Sequence, residues 1–421
     1  MKQMKDSGIE WIGQIPEEWN IWPTKRFFRH TKTLAGEQVD SYERLALTMN
    51  GVIKRSKDDS EGLQPEKFDT YQVLRENELV FKLIDLANVK TSRVGLSPYT
   101  GIVSPAYIIL TNDNEDNRFY YYYFISMYYN EIFNNLGDNG VRSSLNAQDL
   151  LNIPMVDIPS SLQKRIADFL DEKCGKIDRY IEKQQQVIEK LKAYKQSVIT
   201  EAVTKGLNPD VPMKDSGIEW IGMIPEHWEM KKLKYATTIM RGKFSHRPRN
   251  DPDYYDGKYP FVQTGDVARA SKYISTYSQT LNELGYSVSK EFPQGSIVMT
   301  IAANVADVAI LDFNACFPDS VVGFVPKDIK QMYLFYTLKS MKQQLLRNAI
   351  ISTQLNLNIE IIKEEYIPIP TLKEQENILS YLDAKCEKID SAINKYNNNC
   401  KKLIEYKKSL IYEAVTGKLE V

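Results

Sequence analysis

One long stretch of this chain occurs twice. Residues 163–207, QKRIADFLDEKCGKIDRYIEKQQQVIEKLKAYKQSVITEAVTKGL, return as residues 375–419, QENILSYLDAKCEKIDSAINKYNNNCKKLIEYKKSLIYEAVTGKL. Leu170-Asp171, Cys174, Ile177-Asp178, Ile181, Leu191, Tyr194-Lys195 and Glu201-Ala202-Val203-Thr204 recur as Leu382-Asp383, Cys386, Ile389-Asp390, Ile393, Leu403, Tyr406-Lys407 and Glu413-Ala414-Val415-Thr416. A register without insertions is what one rigid element used twice requires.

The spacing predicts a long helix. Apolar residues step by threes and fours through Leu379, Leu382, Cys386, Ile389, Ile393, Tyr396, Cys400, Leu403, Tyr406, Leu410 and Ala414, and the first copy matches with Ile166, Leu170, Cys174, Ile177, Ile181, Ile188, Leu191, Tyr194 and Val198. Pro159 with Ser160-x-x-Gln163, and Pro370 with Thr371-x-x-Glu374, have the form of capping boxes, while Gly206 and Gly417 supply stops. A helix of roughly 40 residues would run about 60 Å, longer than a small domain needs. Two such helices with narrow matching stripes are expected to pair as a coiled coil; two separate core helices are the plainer alternative.

A second repeat precedes each helix at a distance. MKDSGIEWIGQIPEEW at residues 4–19 returns as MKDSGIEWIGMIPEHW at residues 213–228, and Trp11, Trp19, Trp220 and Trp228 are four of the five tryptophans. Repeated large aromatics anchor a segment onto a neighbouring surface, so a strap from block to helix end is expected rather than direct contact with a partner. The blocks between, 20–160 and 229–371, are similar in length and barely alike in sequence. Strand-like runs (residues 78–81, 102–103, 107–110, 296–299 and 308–311) and one late helical stretch in each, 118–135 and 329–348, make each an α+β domain. The scaffold therefore meets the same thing twice and the blocks meet different things. DNA, with its approximate local two-fold axes, fits such a geometry.

Composition sets bounds. With 43% hydrophobic and 26% charged residues, and no run long enough to cross a bilayer, the chain is expected to be soluble, cytoplasmic and free of membrane. Cysteines at 174, 316, 386 and 400 form no CxxC pair and there are three histidines, which supports neither a disulfide framework nor a metal site. A net charge of −1 means that any claim of nucleic-acid binding rests on local clusters.

Such a cluster lies at residues 231–250, KKLKYATTIMRGKFSHRPRN, with seven Lys and Arg and no acid. Arg241, Lys243, His246, Arg247, Arg249 and Asn250 are placed on a Gly/Pro-broken loop from which they can reach phosphates or guanine edges. Weaker clusters in the first block are Lys54, Arg55 and Lys57, diluted by Asp58 and Asp59, and Lys90 with Arg93. Polar runs ahead of each helix contribute Arg142, Ser143 and Asn146, then Thr353, Gln354 and Asn356; these types bond adenine and phosphate, and equally cap helices and close turns. No catalytic constellation is found: there is no GxxxxGK[ST] loop, no HExxH, no Asn/Asp-Pro-Pro-aromatic run, and Pro318-Asp319 is a weak nuclease signal.

With these motifs in hand, the chain resembles the specificity subunits of Type I restriction-modification systems. The resemblance covers essentially the whole chain. It is carried by the paired SGIEWIG(Q/M)IPE(E/H)W motifs, by IPMVDIPSSLQKRIADFLDEKCGKID with IPIPTLKEQENILSYLDAKCEKID, by Leu79-Val80-Phe81 and the Gly101–Tyr107 run, and by Arg241-Gly242-Lys243 and Gly265-Asp266-Val267. It implies two target recognition domains, 20–160 and 229–371, each reading half of a bipartite site on double-stranded DNA. It implies two long antiparallel helices at 161–207 and 372–421 that form a coiled coil, space the domains and dock two modification subunits, with repeat motifs at 1–19 and 208–228. S-adenosylmethionine would belong to those methyltransferase partners and translocation to restriction subunits, leaving this chain no cofactor and no catalysis. The alternative from another class is a coiled-coil adaptor holding two protein ligands.

Overall fold

The computed structural model describes residues 3–59, 68–84, 86, 93–136, 144–246, 249–347, 349–351 and 355–421. The fold is α+β, with two compact units: Met1–Gln185 with Asn397–Val421, and Gln186–Tyr396. Two long helices, Ser160–Lys205 and Leu372–Val415, each give one part to each unit. No helix among the described residues is long and apolar enough to cross a membrane.

In the first unit the opening motif forms a hairpin, Met4–Asp6 against Gln14–Pro16. Ile12, Ile15 and Trp19 are buried in one core with Leu410, Ile411, Ala414 and Val415 at the end of the C-terminal helix. The Ile12 carbonyl accepts hydrogen bonds from the Tyr412 hydroxyl (3.1 Å) and the Lys418 ammonium (2.7 Å). Gly417 has φ +76°, and a Cβ there would stand 2.5 Å from Pro16 Cδ and 2.8 Å from the Trp19 ring, so the close fit requires glycine. The tryptophan motif is thus a strap over a helix end.

The block that follows is closed at its base by an antiparallel ribbon, Asn20–Pro23 with Pro154–Asp157. Its body is two four-stranded sheets. One runs Gly51–Arg55, Arg44–Thr48, Gly101–Val103, Gln72–Leu74; the other runs Arg29–His30, Ile108–Thr111, Leu79–Phe81, Val94–Leu96. Leu45, Leu47, Val52, Leu74, Val80, Val103 and Ile109 make a core of their own. The late helix is shorter than its composition predicts: Arg118–Tyr129, a break where Glu131 takes φ 57°, then Ile132–Leu136. Its Phe119, Tyr120, Tyr123 and Phe124 share a core with Ile166, Leu170, Cys174 and Ile177 of the central helix.

The second unit repeats the plan. Met213–Asp215 pairs with Met223–Pro225, and Trp228 lies against Gly206 at the end of the central helix. Glu229–Lys232 pairs with Tyr366–Ile369 as the closing ribbon. A five-stranded sheet (Thr237–Arg241, Val321–Pro326, Ile297–Thr300, Val308–Leu311, Tyr273–Ile274) and a four-stranded one (Gln279–Leu281, Tyr255–Phe261, Ala315–Cys316, Glu291–Phe292) form the block. The helical stretch expected at 329–348 is Gln331–Ser340 followed by Lys342–Arg347.

Within each unit the two long helices pack side by side with the chain running in opposite senses. In the first, Lys407 binds Asp178 at 2.7 Å and Cys400 meets Gln184; in the second, Lys195 binds Asp390 at 2.6 Å. Leu170, Cys174, Ile177, Ile188, Leu382, Cys386 and Ile389 are buried, whereas Ile181, Leu191, Ile393 and Leu403 are half-buried. Tyr194 and Tyr406 depart from the predicted stripe, at 52% and 58% exposed. Each precedes the lysine that makes the interhelix ion pair, and the ring is left facing water.

Only one of the two expected capping boxes forms. Thr371 and Glu374 bond reciprocally, N–H to side chain in both directions at 3.0 and 3.3 Å. Ser160 instead lies inside its helix, because Leu162 and Gln163 already donate to the Pro159 carbonyl, and the Gln163 amide goes to the Ile158 carbonyl and the Tyr120 hydroxyl. Its repeat counterpart, Gln375, makes the matching bond to the Pro370 carbonyl at 3.0 Å.

Candidate nucleic-acid interface

The joint between block and helix positions everything on the block. Asp171 of the central helix accepts from the Tyr122 hydroxyl (2.7 Å) and pairs with Arg118, which also reaches Asp168. Asp383 of the C-terminal helix accepts from the Tyr336 hydroxyl at 3.0 Å. Burial, then the anionic acceptor, pushes the Tyr122 hydroxyl far above the ordinary tyrosine range; burial and the Asp383 charge do the same to Tyr336. Both phenols remain neutral donors to a carboxylate.

In the second block two of the predicted cations, Arg241 and Arg249, converge on one residue, Asp319. Arg241 ends the strand Thr237–Arg241 rather than sitting on a loop, and its Nε donates to the Asp319 carbonyl at 2.5 Å. Arg249 pairs with the Asp319 carboxylate at 2.5 Å. Between them Gly242 lies so close to the Phe317-Pro318 backbone that a Cβ would stand 2.3 Å from the Pro318 carbonyl oxygen. His246 stacks on Tyr254 with centroids 3.8 Å apart, its Nε2 at 2.9 Å from Asp251. Lys243 and Asn250 are exposed, and Arg247 lies outside the described residues. Pro318-Asp319 is therefore an arginine holder. A guanidinium fixed on one edge keeps further N–H groups for a phosphate or a guanine edge. Sequence reading missed this role because Asp319 is remote in the chain from the arginines it fixes.

In the first block Lys54, Arg55 and Lys57 line a shallow cleft with Arg44, which the sequence reading passed over. Each has an internal partner: Lys54 pairs with Glu43 at 2.5 Å, Arg55 with Asp59 at 2.6 Å, and Lys57 donates to the Val39 carbonyl at 2.7 Å. Arg44 is 8% exposed, with its guanidinium over the Phe68 ring.

Two expectations need correction. Arg93 is 2% exposed, with Nη2 toward the Leu86 carbonyl, so it cannot meet a phosphate in the folded chain. Asn146 forms a complete capping box on the helix Ala147–Asn152, which commits its side chain to the N–H groups of Gln148 and Asp149. Asn356 pairs in the short ribbon Ile350–Ile351 with Leu355–Asn356. Lys90, Arg142, Ser143, Thr353 and Gln354 lie outside the described residues. Among the described residues no group of His, Cys, Asp or Glu is placed to hold a metal ion.

Comparison with known proteins agrees with this architecture. The family model described as the type I restriction modification DNA specificity domain matches residues 225–402. The putative type I restriction enzyme MjaX specificity subunit of Methanocaldococcus jannaschii is 24% identical, over 97% of this chain and 96% of the relative. The EcoBI specificity subunit of Escherichia coli is 25% identical over 66% of this chain and 60% of its own length. A solved structure from work on complex assembly and conformational transition of the type I R-M system shares the fold. Its TM-score is 0.69 at 14% identity, over 96% of this chain and 99% of that one.

Proposed function

We propose that this chain belongs to the family of type I restriction-modification DNA specificity subunits, as the family-model match and the relatives support, and that its two blocks, 20–160 and 229–371, are target recognition domains that each read one half of a bipartite DNA site. As a specificity subunit it recognises DNA and performs no catalysis of its own. The helices 161–207 and 372–421 set the half-site spacing and dock two modification subunits, with the repeat motifs 1–19 and 208–228 as straps. S-adenosylmethionine enters through those partners, and restriction subunits add translocation and cleavage.

One observation carries the reading: the scaffold contacts are duplicated and the block surfaces are not. The Asp178–Lys407 and Asp390–Lys195 pairs join matching repeat positions, as do the acceptors Asp171 and Asp383. The second block presents Arg241 and Arg249 at Asp319 with Lys243 exposed nearby in the chain, while the first presents Lys54, Arg55 and Lys57. Tyr194 and Tyr406, exposed at matching positions, are the proposed contacts for two copies of one partner. The test is methylome sequencing of a host expressing this chain with its modification partner. One asymmetric bipartite motif is expected, and the double substitution Arg241→Ala with Arg249→Ala should relax only one half of it. A contiguous palindromic motif, or equal loss at both halves, would sink the reading.

A further inference from the structure

The second unit contains a cavity of about 800 Å³ between its block and its helix pair. Four ammoniums line it, Lys192, Lys195, Lys339 and Lys342, against two carboxylates, Asp307 and Asp390. Three of the lysines have an acid: Lys192 with Glu189 at 2.8 Å, Lys195 with Asp390 at 2.6 Å, Lys342 with Asp307 at 2.6 Å. Lys339 has none among the described residues. Its ammonium donates to the Ser271 carbonyl at 3.3 Å and lies 5.2 Å from the Phe335 ring centroid.

That lysine is unexpected where it stands. Three residues before it, Tyr336 makes the bond to Asp383; in the first unit Tyr122 makes the matching bond to Asp171, and three residues on is the buried, apolar Ile125. Burial pushes the Lys339 ammonium below its ordinary range, the Lys195 charge acts in the same sense, and Asp390 opposes both. A half-buried cation beside another cation costs free energy that an apolar residue would avoid. An anion in the cavity would remove that cost.

We propose that this cavity is a binding site for a phosphate-bearing ligand, held by Lys339 and Lys195 with Lys192 and Lys342 at its sides. Four ammoniums against the three acids Glu189, Asp307 and Asp390 leave a local excess of one positive charge, carried by Lys339, which matches a phosphodiester or phosphate monoanion, and Asn394 adds an amide donor to the wall. The volume exceeds one phosphate and accepts a nucleotide or a piece of nucleic-acid backbone. The site does not rest on sequence reading by the blocks: a chain that failed to specify methylation would still bind here.

The experiment uses the full chain and two probes: inorganic pyrophosphate by calorimetry, and a duplex of random sequence by fluorescence anisotropy. Removing one charge-assisted contact should weaken binding about tenfold, so Lys339→Met is expected to lose that factor and Lys339→Arg to keep most of the affinity. Lys195→Gln, on the facing helix, serves as the second variant and should lose a similar factor. Loss on pyrophosphate identifies a free phosphate compound as the ligand; loss on the duplex alone identifies nucleic-acid backbone. If both probes bind Lys339→Met and Lys195→Gln as they bind the unchanged chain, or bind neither variant nor unchanged chain, the proposal is overturned.

Discussion

Trp19 and Trp228 stand at the same place in the repeat, yet only one indole finds an acceptor. Trp228 Nε1 donates to Glu374 at 3.0 Å, and His227 Nε2 lies 2.8 Å from the same carboxylate. In the first repeat the residue in register with Glu374 is Leu162, and the buried Trp19 Nε1 has no partner among the described residues. Trp228→Phe should therefore cost about 1–2 kcal/mol in denaturant unfolding, whereas Trp19→Phe should fall within about 0.5 kcal/mol of the parent. Burial by itself would raise the Glu374 pKa, but the donors Trp228, Thr371 and His227 win and hold it down at about 2. A folded pKa below the unfolded value of 4.5 gives stability that is complete above pH 4.5 and lost as the pH falls toward 2. Glu374→Gln should flatten that acid limb; an unchanged limb would exclude Glu374 as its source.

Elements are joined by a few tight contacts, and magnitudes separate those that stabilise from those that align. The two interhelix pairs, Lys195–Asp390 and Lys407–Asp178, have acids 50% and 56% exposed, so each contributes at most about 1 kcal/mol and mainly selects register. Leu382 is fully buried, and Leu382→Ala should cost about 2–5 kcal/mol, well above Lys195→Ala in the same unfolding assay. Gly417→Ala is expected to be worse than Gly206→Ala. Both have positive φ, but the new Cβ would meet Pro16 at 2.5 Å in the first case and Trp228 at 3.1 Å in the second. A smaller loss of melting temperature for Gly417→Ala would show that the strap yields freely.

For the whole molecule, the proposed role of the helices as a spacer makes a length prediction. Adding one turn, about 5.4 Å, to both long helices should change the spacer between half-sites by one or two base pairs, at about 3.4 Å per pair. Methylome mapping reads this directly; an unchanged spacer would refute the ruler while leaving recognition by the blocks intact. Insertion in one helix alone should instead be destabilising, because the apolar stripe and the two ion pairs would fall out of register.

What the sequence determined by itself was whatever repeats or keeps a strict period. The long helices, their buried stripe from Leu170 to Ile188 and from Leu382 to Ile389, the glycine stops and the tryptophan straps were all legible, because local periodicity dictates which face must leave water. Tertiary structure decided the rest. Tyr194 satisfied the period but is exposed, and Ser160 had the form of a cap but lies inside its helix. Arg93 read as surface and is buried, while Asn146, read for adenine, is committed to a helix start. Asp319 holds arginines that are distant in the chain, and Lys339 lines a cavity made by five separate segments. No local pattern carries such information: burial and charge pairing are set by which remote segments meet, and that meeting exists only in the fold.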